Sequence, residues 1–198
     1  MLKKTFDITL CILLIPIFLP IGIVVACLIY VLQGRPIFFS QKRVGKKGRI
    51  FVLYKFRSMQ NRTGENAFEH EDKDRMTRLG MFLRSVSLDE IPQILNIIIG
   101  DMSFIGPRPL LPEYLPLYSR FQRRRHEVLP GITGWAQIKG RNELSWDKKF
   151  ELDVWYVDNQ TFWIDVKIVF FTIIKVILRT GISAEGQATM QKFKGDFD

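Results

Sequence analysis

The sequence predicts a mainly α-helical chain with one short β-hairpin, held monotopically at a membrane by an N-terminal segment that enters and returns on the same side. Three observations predict it. Residues Ile8 to Leu32 contain no charged side chain. Basic residues flank that segment at both ends. Beyond it, one pair of short β-type runs is followed by segments of helical spacing, without the alternating strands and helices that build a parallel sheet.

The apolar segment admits three readings. A cleaved leader carries a shorter apolar region and a small-residue cleavage site, whereas Tyr30-Val31-Leu32-Gln33-Gly34 runs straight into basic sequence. A straight span needs about 20 apolar residues, which are present. Against it, Pro20 falls near the centre with Pro16 one turn earlier, and proline inside a helix removes a backbone bond and kinks it. Lys3 and Lys4 precede the segment; Arg35, Lys42, Arg43, Lys46, Lys47 and Arg49 follow it. Positive charge marks cytoplasmic flanks, so both ends belong on one side. Two arms of about 18 Å, at 1.5 Å per residue, dip into one leaflet without crossing it. Residues 1–34 are therefore expected as a re-entrant helix-hairpin and 35–198 as a cytosolic and interfacial domain.

Next comes the hairpin, Ile37–Gln41 and Ile50–Tyr54 about a Gly45–Gly48 turn. Asn61–Arg75 is polar and charged and reads as a solvated loop. Leu79–Leu83 reads as a short helix, and a further helix runs to Ile99 and stops at Gly100, a usual residue just past a helix end. In Thr161–Thr180, Asp165, Thr172 and Arg179 recur on one face with Lys175 beside them, and the rest is almost wholly apolar. Such a helix suits a membrane interface, with a buried core helix as the alternative. Trp146, Trp155 and Trp163 favour the interface, where indoles concentrate.

Composition narrows the partner. The 198 residues carry a net charge of +9 from 29 basic and 20 acidic side chains, which calls for a polyanion or a phosphate: nucleic acid, anionic lipid or a nucleotide. Both cysteines, Cys11 and Cys27, lie in the apolar segment, and neither His70 nor His126 sits at ligand spacing. A disulfide framework and a zinc site are thereby excluded.

The run Ser87-Leu88-Asp89-Glu90-Ile91-Pro92-Gln93 sets two carboxylates together before a proline. One reading is structural: Asp89 caps a helix and Pro92 occupies its first turn, where a missing N–H costs little. The surroundings favour chemistry. Arg84 lies five residues upstream, Arg108 stands between two prolines, and Arg141 follows Gly140. Arginines set among prolines and glycines are poorly explained as solubilising charge, and the guanidinium matches phosphate oxygens bidentately. A magnesium ion on such carboxylates neutralises a diphosphate, and a carboxylate can attack the phosphorus to give an acyl-phosphate.

Taken together, LRSVSLDEIPQ, GDMSFIGPRPLLPEYLP, PGITGWAQ and GRN resemble the bacterial sugar transferases that act on polyprenol phosphate, the monotopic phosphoglycosyl transferases. The likeness runs from Asp7 to the Gly186-Gln187-Ala188-Thr189 tail. The length is similar to the minimal, catalytic-domain-only members, such as the one that starts N-linked glycan assembly on diacetylbacillosamine. The resemblance implies transfer of a sugar phosphate from a UDP-sugar to undecaprenyl phosphate with release of UMP, through a covalent phosphosugar on Asp89. It assigns Glu90, with Asp89, to Mg2+; Arg84, Arg108 and Arg141 to phosphate or nucleotide; and Lys55 to a further motif, Tyr54-Lys55-Phe56-Arg57-Ser58-Met59. It implies the cytoplasmic face of a bacterial inner membrane, and a re-entrant helix beside interfacial helices. Leu19-Pro20 stands where the family often has Ser-Pro, and Val44 replaces a common proline.

Two other classes compete. Asp72-Lys73-Asp74 fits the D-x-D metal site of a direct-transfer glycosyltransferase, which would release UDP. Arg123-Arg124-Arg125 fits a basic adaptor for anionic lipid or nucleic acid.

Overall fold

The computed structural model describes residues 2–60, 75–140, 144–178 and 192–195. Asp72, Asp74, Arg141 and the Gly186–Thr189 tail lie outside them. Seven helices and two small two-stranded sheets are found among the described residues.

The apolar segment forms one helix, α1, Leu2–Gln33. It continues as helix through Pro16 and Pro20 and does not separate there into two arms. The reason is visible in its burial. Asp7, Cys11, Val25 and Ile29 are buried, and Ile15, Phe18 and Gly22 partly so. These positions fall three or four apart, so a single face packs on the rest of the protein along nearly the whole helix. The opposite face carries exposed Ile12, Leu13, Ile17, Leu19, Val24, Val31 and Leu32. Both prolines are on that exposed side. A backbone bond lost there lets the outer side lengthen, the direction of bend that wraps a helix around its support.

Polar hooks hold both ends of α1. Near its start, Lys3 pairs with Asp165 at 2.6 Å, and the carboxylate of Asp7 accepts bonds from Ser103 Oγ and the Phe104 N–H. At its end, the guanidinium of Arg57 donates to the carbonyls of Gln33, Gly34 and Arg35 at 2.6, 2.7 and 3.0 Å. These are carbonyls that no further helical turn can satisfy, and a cation is favoured there.

The hairpin consists of β1, Phe38–Val44, and β2, Ile50–Phe56, paired antiparallel from Phe38 with Phe56 to Val44 with Ile50. β1 thus extends three residues beyond the expected Gln41. After it come α2, Arg78–Ser85, and α3, Gln93–Ile99, which ends at Gly100 with φ 95°. Asn96 of α3 is fully buried and joins the helix to β2, donating to Val52 O and accepting from the Tyr54 N–H. Two core clusters result. Cys11 meets Phe51, Leu53, Ile94, Ile97 and Met102 in one, and Val25 and Ile29 meet Phe56 and Leu83 in the other.

A second sheet was not expected from the sequence. Two three-residue strands, β3 (Ser103–Ile105) and β4 (Gly131–Thr133), pair in parallel. Their approach depends on glycine. A Cβ on Gly131 would lie 2.1 Å from the Gly106 nitrogen, and one on Gly106 would lie 2.2 Å from the Leu129 carbonyl. This interlock delivers the Pro107-Arg108-Pro109 loop.

The remaining helices are α4, Arg120–Arg123; α5, Trp135–Lys139; α6, Trp146–Asn159; and α7, Phe162–Leu178. The described members of the α7 polar stripe, Asp165 and Thr172, turn toward the rest of the protein, which leaves the apolar side outward. Asp165 takes Lys3 and the Tyr156 hydroxyl, and Thr172 meets Thr133 at 2.7 Å. Phe162, Trp163, Phe170, Ile173, Ile177 and Leu178 are exposed. Trp163 and Trp155 are both exposed indoles, Trp155 also stacking on Trp135, whereas Trp146 packs with Tyr114, Phe150 and Phe193.

Each arginine of the run has a partner within the chain, and Arg125 alone is buried. Arg123 donates to Tyr118 O, Arg124 pairs with Asp158 and Glu127, and Arg125 is buried against Asp153. Arg125 places Nε and Nη2 on Asp153 Oδ2 at 3.0 and 2.7 Å and gives Nη2 also to the Arg108 carbonyl at 2.7 Å. Breaking such a pair on one side leaves an uncompensated buried charge, which costs about 3–5 kcal/mol. Arg125→Met is expected to lower stability by about that amount, and Arg125→Met with Asp153→Leu to recover most of it. Denaturant midpoints of the three proteins check this.

Candidate active site

The chain leaves α2 with Ser87 in a left-handed conformation, φ 58° and ψ 20°, which turns it abruptly. A single 3-10 turn, Leu88–Glu90, follows. This corrects the expectation for Asp89 as a helix cap. Asp89 sits inside the turn, and α3 begins after Pro92, which holds the cap position without a side-chain bond. The turn instead buries both carboxylates, each side chain about 8% exposed.

Burying two carboxylates side by side is costly unless cations meet them. Lys55 comes from β2, its Nζ at 2.7 Å from Glu90 Oε1 and 3.7 Å from Asp89 Oδ2. Arg108 comes from the loop after β3, its Nη2 at 3.0 Å from the same Glu90 oxygen. One oxygen of Glu90 therefore serves two cations, while the ion pair from Lys55 to Asp89 is longer. Arg84, in the last turn of α2, donates Nε to Ser58 Oγ at 2.9 Å, and its charge also acts on Asp89.

The pKa shifts follow from these positions. Burial raises the Asp89 carboxyl above its ordinary 3.8, with the Lys55 charge opposing most and Glu90 adding to the rise. Burial lowers the Lys55 ammonium, against the pull of Glu90. The charge of Glu90 holds Arg108 firmly protonated. One carboxyl group and one ammonium pushed toward neutrality in a buried cluster mark a site built for something other than stability.

Of the residues singled out in the sequence, Lys55, Asp89, Glu90 and Arg108 converge, and Arg84 stands beside them through Ser58. Sequence reasoning missed four supports: Ser58 as the seat of Arg84, Arg57 on the end of α1, Asn96 on the edge of β2, and the Arg125–Asp153 pair beneath Arg108. The first two lie in the same six-residue run as Lys55, and that adjacency was the available signal. Among the described residues, no three carboxylate, histidine or cysteine side chains cluster as a complete metal cage. Two adjacent carboxylates do fit Mg2+, which ordinarily takes one or two from the protein and the rest from phosphate and water.

Comparison with known proteins follows the geometry. The family model of the bacterial sugar transferases matches residues 1–179. An uncharacterized sugar transferase, EpsL of Bacillus subtilis, is 48% identical over 197 residues, covering 100% of this chain and 98% of that protein. The UDP-N-acetylgalactosamine-undecaprenyl-phosphate N-acetylgalactosaminephosphotransferase of Aeromonas hydrophila is 41% identical, over 92% of this chain and 45% of its own length. The undecaprenyl-phosphate galactose phosphotransferase of Salmonella typhimurium is 36% identical, over 90% and 40%. The chain thus spans nearly all of the first relative and less than half of the other two.

The seat of Arg84 gives a direct test of the geometry. A Cβ on Gly80 would lie 1.8 Å from the Ser58 carbonyl oxygen, so α2 can approach the segment that follows β2 only at a glycine. Gly80→Ala is expected to cost about 1–3 kcal/mol, as overpacking does, and to displace Arg84 from Ser58. A lowered melting temperature together with lost activity checks it; an unchanged midpoint would refute the contact.

Proposed function

We propose that this chain, which belongs to the bacterial sugar transferase family, transfers a sugar 1-phosphate from a UDP-sugar to undecaprenyl phosphate at the cytoplasmic face of a bacterial inner membrane. The observation that carries the reading is the unequal treatment of the two carboxylates. Glu90 is engaged by Lys55 and Arg108 through one oxygen, and Asp89 is held beside them with the Lys55 ammonium at 3.7 Å. A nucleophile needs an available lone pair and a low-dielectric pocket that sharpens its charge; Asp89 has both.

The reaction proceeds in two displacements. A carboxylate oxygen of Asp89 attacks the β-phosphorus of the UDP-sugar. The bond from that phosphorus to the bridging oxygen breaks, and UMP leaves with the oxygen and its electron pair. An oxygen of undecaprenyl phosphate then attacks the same phosphorus, the acyl-phosphate bond breaks, and Asp89 is restored. Arg108 and Arg84 would hold phosphoryl oxygens, with Arg141 assigned the same task by resemblance. Lys55 lies between the carboxylates and offsets their charge. Glu90, with Asp89, would hold Mg2+, which supplies charge neutralisation of the diphosphate.

Membrane attachment follows from surface chemistry. The outer faces of α1 and α7 expose contiguous large apolar side chains, more than a water-facing surface ordinarily carries. The packed face of α1 supports insertion of its outer side into one leaflet, with the basic residues Lys4, Arg35, Lys42 and Arg49 at anionic headgroups. The arginine run that suggested a nucleic-acid partner is internally bonded. The named relatives act with different sugars, and the proposal is made for the class of UDP-sugar donors.

With donor alone, the protein is expected to release one equivalent of UMP and gain the mass of one sugar phosphate. Asp89→Asn is expected to abolish both while remaining folded, and full turnover by that variant would refute the nucleophile. The pH dependence has a definite sign. Asp89 must be ionised to attack, and its pKa is raised, so UMP release falls with falling pH at values above the 3.8 of an ordinary aspartate. Lys55→Met removes the largest opposing charge, and the acid limb of the pH profile is expected to move to higher pH.

A further inference from the structure

Lys167 and the indoles of Trp135 and Trp155 have no part in the transfer chemistry above. The exposed side of α7 carries one charge, Lys167, set among exposed Trp163, Val166 and Phe170. Trp163, four residues before it, and Phe170, three after, share its side of the helix. A lone cation in an apolar, lipid-facing stretch reaches for the interface or for an anion. Lys167 reaches back over α5, its Nζ 5.7 Å from the centre of the Trp135 ring. Lys139, at the end of α5, brings its Nζ to 4.9 Å from the same ring. Trp155 of α6 stacks on Trp135 with centroids 4.6 Å apart and planes 20° apart, and is itself exposed.

Three helices thus bring two ammonium groups and a pair of stacked indoles to one place. The indole ring attracts both cations and orients their side chains. A neutral ring does not cancel their charge, and two ammonium groups gathered on it repel each other. Among the described residues no carboxylate forms an ion pair with either lysine. The acidic residues one turn to either side of Trp155 are engaged elsewhere, Glu151 with Lys148 and Asp158 with Arg124. Positive charge is therefore left at the edge of the apolar face of α7. Indoles and lysines so placed meet the layer in which lipid phosphates lie.

We propose that Lys139, Lys167 and the Trp135–Trp155 stack form a binding site for one anionic phospholipid, the two ammonium groups meeting its headgroup phosphate and Trp155 covering its glycerol backbone. The occupant is a lipid because the charge adjoins an apolar face that an acyl chain matches and a free phosphate does not. The site rests on the attachment of the outer face of α7 to the membrane, and it ties α5 to the lipid surface two residues before Arg141.

The test places the full chain in nanodiscs of equal phosphatidylcholine and phosphatidylglycerol and counts, by native mass spectrometry, the lipids that stay bound. The wild type is expected to retain one phosphatidylglycerol in preference to phosphatidylcholine. Lys139→Gln and Lys167→Gln are each expected to weaken that preference about fivefold, the contribution of one basic residue at an anionic surface, and both changes together to abolish it. Both lysines are exposed, so neither change disturbs the core. Lys46→Gln with Lys47→Gln removes the same charge from the hairpin turn and is expected to leave the preference intact. A preference unchanged in the double variant at Lys139 and Lys167, or lost equally in the variant at Lys46 and Lys47, overturns the site. Displacement of the bound lipid by an equal concentration of soluble glycerol phosphate also overturns it, since the occupant would then be a free phosphate. A wild type that does not enter neutral phosphatidylcholine nanodiscs overturns the membrane attachment itself. That result is distinct from insertion without lipid preference, which overturns the site alone.

Discussion

The rest of the site depends on a single carboxylate oxygen. Oε1 of Glu90 takes an ammonium from one side and a guanidinium from the other, and by doing so fixes three separate pieces of chain at one point. β2 contributes Lys55, the 3-10 turn contributes the carboxylates, and the loop after β3 contributes Arg108. Each of these groups is costly to bury alone. Together they are nearly balanced, and the imbalance that remains falls on Asp89.

The loop that carries Arg108 is rigid for reasons that have nothing to do with charge. β3 and β4 are only three residues each, too short to be stable as strands alone. They persist because Gly106 and Gly131 let two backbones approach more closely than any side chain permits. From beneath, Arg125 holds the carbonyl of Arg108 while its own charge is neutralised by Asp153. A flexible arginine on an ordinary loop would lose conformational freedom on meeting a phosphate. This one has lost most of it on folding.

The sequence displayed its local patterns well and its long-range ones poorly. The hairpin, the helix ending at Gly100 and the carboxylate pair with Arg84 and Arg108 follow from spacing, turn chemistry and charge. The capping role of Asp89 does not hold, because Ser87 takes a left-handed conformation that no pattern around it announces. The parallel β3–β4 pair was invisible since three-residue strands leave no period to detect. The partners of the α7 stripe were not legible, because a helical wheel gives a polar face without saying what it meets; Lys3, 162 residues away, supplies the answer. Arg125 looked like one of three surface charges until Asp153 was placed against it.

Arg57 grips the end of α1 by main-chain carbonyls alone, three of them. Nothing in that grip reads the side chains of Gln33, Gly34 or Arg35. The helix end can thus drift in sequence and still be held, provided its backbone reaches the same place. That grip comes from one arginine two residues from Lys55, so the hold on the end of α1 and a charge of the site share one short run of sequence, Lys55-Phe56-Arg57.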